Sequence, residues 1–278
     1  MKKISMIILL SSMMGLAQIQ TPQPSPSAKV EQTVGLTQVT IEYSRPAMRG
    51  RTIMGELVPY GELWRAGANK NSTLEFSDAV TVGGQSLDAG KYALFIRPGE
   101  SMWEVFFYTE TENWGLPEDW DSQSIAAVVE APTQTLDQNA ESYTIAIDQL
   151  NNNGANISIK WEKTQVTLPL EVPTDQKTMA SIESTLKKDP KWRDYYNAAV
   201  YFKQSGKDLN QAKEWMDKAL SLEEGKYWMY RQQALILAGL NEKEAAIKAA
   251  KKSLELATKE GNKDYIRLNK KSIEEWSK

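Results

Sequence analysis

The chain has 278 residues, 41% hydrophobic and 25% charged, with a formal net charge of -3, a balance too mild to imply a nucleic-acid partner. It contains no Cys and no His, which excludes disulfides, zinc sites of the Cys/His kinds, thiolate nucleophiles, haem attachment and every His-based triad. Acid-base chemistry would fall to Asp, Glu, Lys or Tyr with shifted pKa values, and no metal or other cofactor is implied.

Residues 1–17 read as a secretory signal. Lys2 and Lys3 make a charged start, Ile4 to Leu16 is mostly apolar, and Ala17 is a small residue suited to cleavage. The apolar part is too short to span a membrane, and no Cys follows it to carry a lipid. The expectation is an exported chain, periplasmic or secreted, cleaved near Ala17 and without a transmembrane segment. Residues 18–28, QIQTPQPSPSA, have the composition of an extended, exposed linker.

A β-domain is expected over residues 29–168. Its first clear strand alternates Val39, Ile41 and Tyr43 with Thr40, Glu42 and Ser44. The stretch that follows, from Tyr43 to Asn69, holds four of the eight arginines and four of the sixteen glycines. It is too long, and too rich in Leu, Val, Trp and Tyr, for a solvated loop.

That stretch runs Tyr43-Ser44-Arg45-Pro46, Gly50-Arg51-Thr52-Ile53-Met54-Gly55, Leu57-Val58-Pro59-Tyr60-Gly61 and Trp64-Arg65-Ala66-Gly67-Ala68-Asn69. In this it resembles a bacterial family, the domain of unknown function 2911. The resemblance covers residues 25–163 and implies an uncharacterised envelope protein, with no assigned activity. Ser44, Met48 and Ala66 depart from the family pattern but leave its Arg, Gly and Pro framework intact.

The candidate ligand-binding residues are Arg45, Arg49, Arg51, Glu56, Tyr60, Trp64, Arg65 and Asn69. Arginine suits bidentate capture of carboxylate, phosphate or sulfate, and the glycines let backbone N–H groups approach an anion. The structural alternative has Arg45, Arg51 and Arg65 lying flat on Tyr43, Tyr60 and Trp64, or bridging strands to carboxylates. Asn69 fits a left-handed turn as well as a ligand contact.

Further alternation marks Val80/Val82, Tyr92/Leu94/Ile96, Trp103/Val105/Phe107, Ile145/Ile147 and Ile157/Ile159/Trp161. Turn signals separate these at Gly83-Gly84, Asp88-Ala89-Gly90, Pro98-Gly99 and Asn151 to Gly154. Eight or nine strands are predicted, forming an antiparallel β-sandwich or jelly roll. Ala93, Phe95, Phe106 and Tyr108 face away from this core set, so a second face needs cover, from the C-terminal part or from the 43–69 stretch. In the segment Trp103 to Asp121, Trp114 and Trp120 sit in a loop with Glu110, Glu112, Glu118, Asp119 and Asp121 and are candidates for stacking a carbohydrate. Packing of these rings over a sheet is the competing reading.

Near residue 170 the period becomes helical, so the overall class is α+β in two domains, with helices over 175–278. Asp189-Pro190 predicts a helix start. Ala212, Ala219, Leu220 and Leu222 recur 34 residues on as Ala246, Ser253, Leu254 and Leu256, and Gly206 recurs as Gly239. The spacing resembles the tetratricopeptide repeat, and flanking helices over 176–188 and 263–276 bring the expected total to six. The functional expectation is a non-catalytic binding or scaffold protein, with an anionic small molecule or glycan at the Arg loop and a protein partner on the repeats. The alternative is a hydrolase of a glycan or anionic small molecule, working through Glu56, Tyr60 and Arg65 or the 110–121 carboxylates.

Overall fold

The computed structural model describes residues 21–278, so the expected signal at residues 1–17 lies outside the described residues. The chain divides into two compact units, one up to Thr174 and one from Asp175 to Lys278.

The first unit is built from β1 (Ser27–Val34), β2 (Thr37–Ser44), β3 (Ser72–Phe76), β4 (Val80–Val82), β5 (Gln85–Leu87), β6 (Gly90–Pro98), β7 (Met102–Tyr108), β8 (Ile125–Pro132), β9 (Gln134–Asn151) and β10 (Gly154–Glu171). They form two antiparallel sheets, ordered β1-β2-β3-β6-β7-β8 and β5-β4-β10-β9. Residues 27 and 28, expected in the linker, are instead the first two of β1, paired with Ser44 and Tyr43. Expecting only eight or nine strands undercounts, because β5 is a three-residue hairpin arm and β1 starts in Pro- and Ser-rich sequence.

The inner faces of both sheets share one core. Val39 and Ile41 of β2, Leu94 and Ile96 of β6, Trp103, Val105 and Phe107 of β7, Ile145 of β9, and Ile157, Ile159 and Trp161 of β10 are all buried in it. Each such large side chain contributes about 1.5–3 kcal/mol on burial. The period-two pattern named this set because successive strand residues face opposite ways.

On the outer face, Ala93, Phe95, Phe106 and Tyr108 form a second buried cluster with Leu63, Trp120, Ile125 and Val128 packed on it. Trp120 lies stacked on Tyr108, centroids 4.7 Å apart, and meets Phe95 and Phe106 edge-on. This ring therefore serves as cover, and its reading as a carbohydrate platform is replaced by packing. Trp114 is 77% exposed.

The second unit has α1 (Thr174–Leu186), α2 (Trp192–Gln204), α3 (Leu209–Leu222), α4 (Tyr227–Gly239), α5 (Lys243–Lys259) and α6 (Lys263–Trp276), and each helix from α2 onward packs on the next. The small residues of the repeat sit at the packing seams: Ala212, Ala219, Ala246 and Ser253 are fully buried. Two local expectations differ. Asp189 and Pro190 precede α2, which begins at Trp192; the Lys191 N–H donates to the Asp194 carboxylate at 2.8 Å. Gly239 is the last residue of α4, and the left-handed turn matching Gly206 (φ 63) is made by Asn241 (φ 61), a residue type that tolerates this conformation. No helix among the described residues is long and apolar enough to cross a membrane.

Candidate functional site

The stretch after β2 crosses the end of the sandwich from one sheet to the other. At its start, Met48 N donates to Glu141 O (2.8 Å) and Tyr143 N to Pro46 O (2.9 Å), so residues 46–48 ride on β9. At its end, Trp64 exchanges two backbone hydrogen bonds with Ile96 of β6, at 2.7 and 2.8 Å. Pairing of β3 with β6 stops at Leu94. Trp64 therefore satisfies polar backbone groups that β3 is too short to reach.

Carboxylates hold this stretch through its backbone. Glu162 sits in a stretch of shifted register between β9 and β10, with φ 54, and its carboxylate accepts from Ile53 N (3.2 Å) and Met54 N (3.0 Å). Such irregularities re-aim a side chain that regular alternation would place elsewhere. Glu141 accepts from Arg49 N at 2.9 Å.

The guanidiniums bind carbonyls and a hydroxyl. Arg45 donates to Tyr143 O (3.1 Å) and Thr144 Oγ1 (2.8 Å). Arg51 donates to Met48 O (2.9 Å) and Ala47 O (2.7 Å), and Arg49 to Pro24 O (2.8 Å). Among the described residues the arginines in ion pairs are Arg97 and Arg267, and those over aromatic rings are Arg97 and Arg193. The expected clamps, guanidinium to carboxylate or guanidinium flat on Tyr43, Tyr60 or Trp64, are thus replaced by a crossed arrangement in which carboxylates take amide N–H groups and arginines take oxygens.

Arg65 stands apart. It is half-buried, its Nε is fully buried, and no described residue accepts a hydrogen bond from it. The backbone N–H groups of Arg65, Ala66, Gly67 and Ala68 likewise donate to no described residue. Ala66 takes a left-handed φ of 51, and its carbonyl is held by Ser72 Oγ.

Arg49, Arg51 and Arg65 meet at a concave pocket of about 450 Å³ lined also by Leu57, Trp64 and Gly67. No Asp or Glu lines it. Its wall rests on a buried aromatic group: Trp64 stacks on Trp161, and Tyr143 meets both edge-on, at 5.1 and 5.8 Å. Burial, followed by the neighbouring Tyr43, pushes the Tyr143 phenol well above its ordinary value of 10.0, so it stays protonated at any physiological pH.

Of the residues singled out in sequence, four come together here: Arg49, Arg51, Trp64 and Arg65. Arg45 borders a separate concavity with Leu136 to Ser142. Asn69 holds a left-handed turn (φ 61) and donates to Ser25 O (3.3 Å) and Ser44 Oγ (3.1 Å), outside the lining. Glu56 and Tyr60 are exposed and outside it too, so no carboxylate or phenol joins the arginines. Pro24, Ser25 and Trp161 line the pocket and were missed, the first two because their composition reads as a linker and the third because its period assigns it to the core.

No curated protein and no solved structure matches the chain. Residues 25–170, more than half the chain, match the family described as Protein of unknown function (DUF2911), and the protein belongs to that family.

Proposed function

We propose that this is an exported, non-catalytic binding protein of the bacterial envelope, periplasmic or secreted, whose β-unit grips a small anionic molecule or the charged end of a glycan. The observation that carries the reading is Arg65: a half-buried guanidinium with a buried, unbonded Nε, in a pocket with two further arginines and no carboxylate. The Arg65 guanidinium has no acceptor among the described residues, and an anion in the pocket would give its accessible N–H groups one. The separation of Glu56 and Tyr60 from the lining favours binding over hydrolysis. Export is supported by the charged, apolar and small-residue order of residues 1–17.

The test is Arg65→Ala. Loss of anion binding by calorimetry at an unchanged urea midpoint supports the reading. A large drop in stability, with no anion bound by the parent protein, makes Arg65 a clamp and ends it.

The helical unit, read as a tetratricopeptide-like array, is proposed to bind an acidic segment of a protein partner. Lys203 of α2 donates to Gln232 Oε1 (2.7 Å), while Arg231 of α4 donates to Ser272 Oγ (2.9 Å) and Asn269 Oδ1 (3.4 Å), both of α6. Burial lowers the pKa of each cation, and the Arg231 charge lowers Lys203 further. Neither forms an ion pair with a described residue; Arg231 is buried, with the Glu275 charge acting on it, so Lys203, partly exposed, is the cation that an acidic partner would reach. Cross-linking in the envelope should give a partner that Lys203→Gln loses; a partner retained by that variant places the surface elsewhere.

A further inference from the structure

Resting on the anion-binding reading above, we infer that the pocket takes the tetrahedral oxyanion of a phosphate or sulfate monoester in preference to a carboxylate. The donors outnumber what a carboxylate can use. A carboxylate offers two oxygens and about four lone-pair sites in one plane, whereas a phosphoryl or sulfuryl ester presents three terminal oxygens directed to three sides.

The pocket gathers donors from several residues. Arg65 brings a fork with no protein partner, and Gly67 and Ala68, both lining residues, bring N–H groups that donate to nothing described. Arg49 and Arg51 each keep N–H groups beyond those given to Pro24, Ala47 and Met48. Three cations and no lining carboxylate favour a group with more than one negative charge or with charge spread over three oxygens.

The ligand is an ester because the cavity exceeds the group that its donors would hold. About 450 Å³ falls within the range of roughly 300–1,000 Å³ typical of organic ligands. The remaining surface includes Leu57, 45% exposed, with Val58 and Trp64, against which the carbon skeleton of the alcohol lies.

The experiment is isothermal titration of the full chain with glucose 6-phosphate, glucose 6-sulfate, glucuronate, glucose and inorganic phosphate at one ionic strength. The expected result is at least tenfold tighter binding of one or both esters than of glucuronate, none for glucose, and weaker binding of inorganic phosphate than of the esters. Arg65→Ala should lose ester binding at an unchanged melting temperature. Arg65→Lys, which keeps the charge but not the fork, should lose at least tenfold. The two esters are told apart by pH: phosphate-ester affinity rises between pH 5 and 7.5 as the second proton leaves near pH 6, and sulfate-ester affinity does not change. Glucuronate binding as tightly as both esters overturns the inference and leaves the anion site standing. Inorganic phosphate binding as tightly as the esters overturns the organic-ligand part. No binding of any anion overturns the inference and the proposed function together.

Discussion

Trp64 stacks on Trp161 with ring centroids 5.8 Å apart and planes 19° apart. Its backbone is paired to β6 of the six-stranded sheet while its ring lies on β10 of the four-stranded one, so one residue staples both sheets at the pocket wall. Replacing it by Ala should cost about 3 kcal/mol, the order found when a packed Trp is truncated. Trp64→Phe should recover part of that. Urea unfolding followed by tryptophan fluorescence measures both, and a cost below 1 kcal/mol for the Ala variant would show that the crossing stretch is held without the stack.

Gly67 and Gly50 give a paired test of backbone strain against space. Gly67 has φ 149 and no room for a Cβ, whereas Gly50 has φ 73 and nothing within 4 Å of the added carbon. Gly50→Ala should cost about 1 kcal/mol, the ordinary penalty for a left-handed alanine. Gly67→Ala adds an overpacking cost of about 1–3 kcal/mol and should weaken anion binding as well. Equal stabilities for the two variants would contradict this.

Glu162→Ala removes the acceptor for two backbone N–H groups, Ile53 and Met54. The expected loss is about 2 kcal/mol, within the range for hydrogen bonds to a charged group. Amide exchange at residues 53 and 54 should quicken while exchange in the Ile157–Ile159 core stays slow. Unchanged exchange at those two amides would mean that the carboxylate does not hold them in solution.

Lys203 provides the pH dependence. Burial first, and Arg231 second, hold its amine below the ordinary 10.5. Between that lowered value and 10.5 the unfolded chain binds more protons than the folded one, so stability rises with pH across the interval, and the charged amine destabilises fully below it. Lys203→Met should therefore gain stability relative to the parent near neutral pH, with a gain that shrinks as pH approaches 10.5. Helical circular dichroism in urea at pH 7, 8.5 and 10 reads this out. A difference independent of pH would remove Lys203 from the account.

The core was legible because alternation in β2, β6, β7 and β10 is a local property; Val39, Ile41, Leu94 and Trp103 could be read from their own neighbours. The Arg cluster was legible as a cluster, but its division of labour was not. Arg45 and Arg65 look alike in sequence, yet one is bonded to β9 and the other donates to no described residue. That difference depends on where the 142–144 backbone passes, some 98 residues away in the chain. Glu162 was invisible for a related reason, since only its irregular register turns a strand residue toward Ile53. Of the two readings that the sequence left for Trp120, packing is the one its ring makes, over the Phe95–Phe106–Tyr108 cluster, a contact that loop composition alone does not specify.

Pro24 and Ser25 both line the pocket, and their carbonyls are fastened by Arg49 and Asn69, with Pro26 O taken by Arg45 N. The leading arm of the β-unit is thus part of the doorway. Arg49, one of the three arginines that line the cavity, is also a bolt of that arm, so a ligand that drew it inward would loosen the arm, and tension on the arm would be felt at the ligand. A ligand at Arg49 and the arm at Pro24 would thus share one side chain at this end of the β-unit.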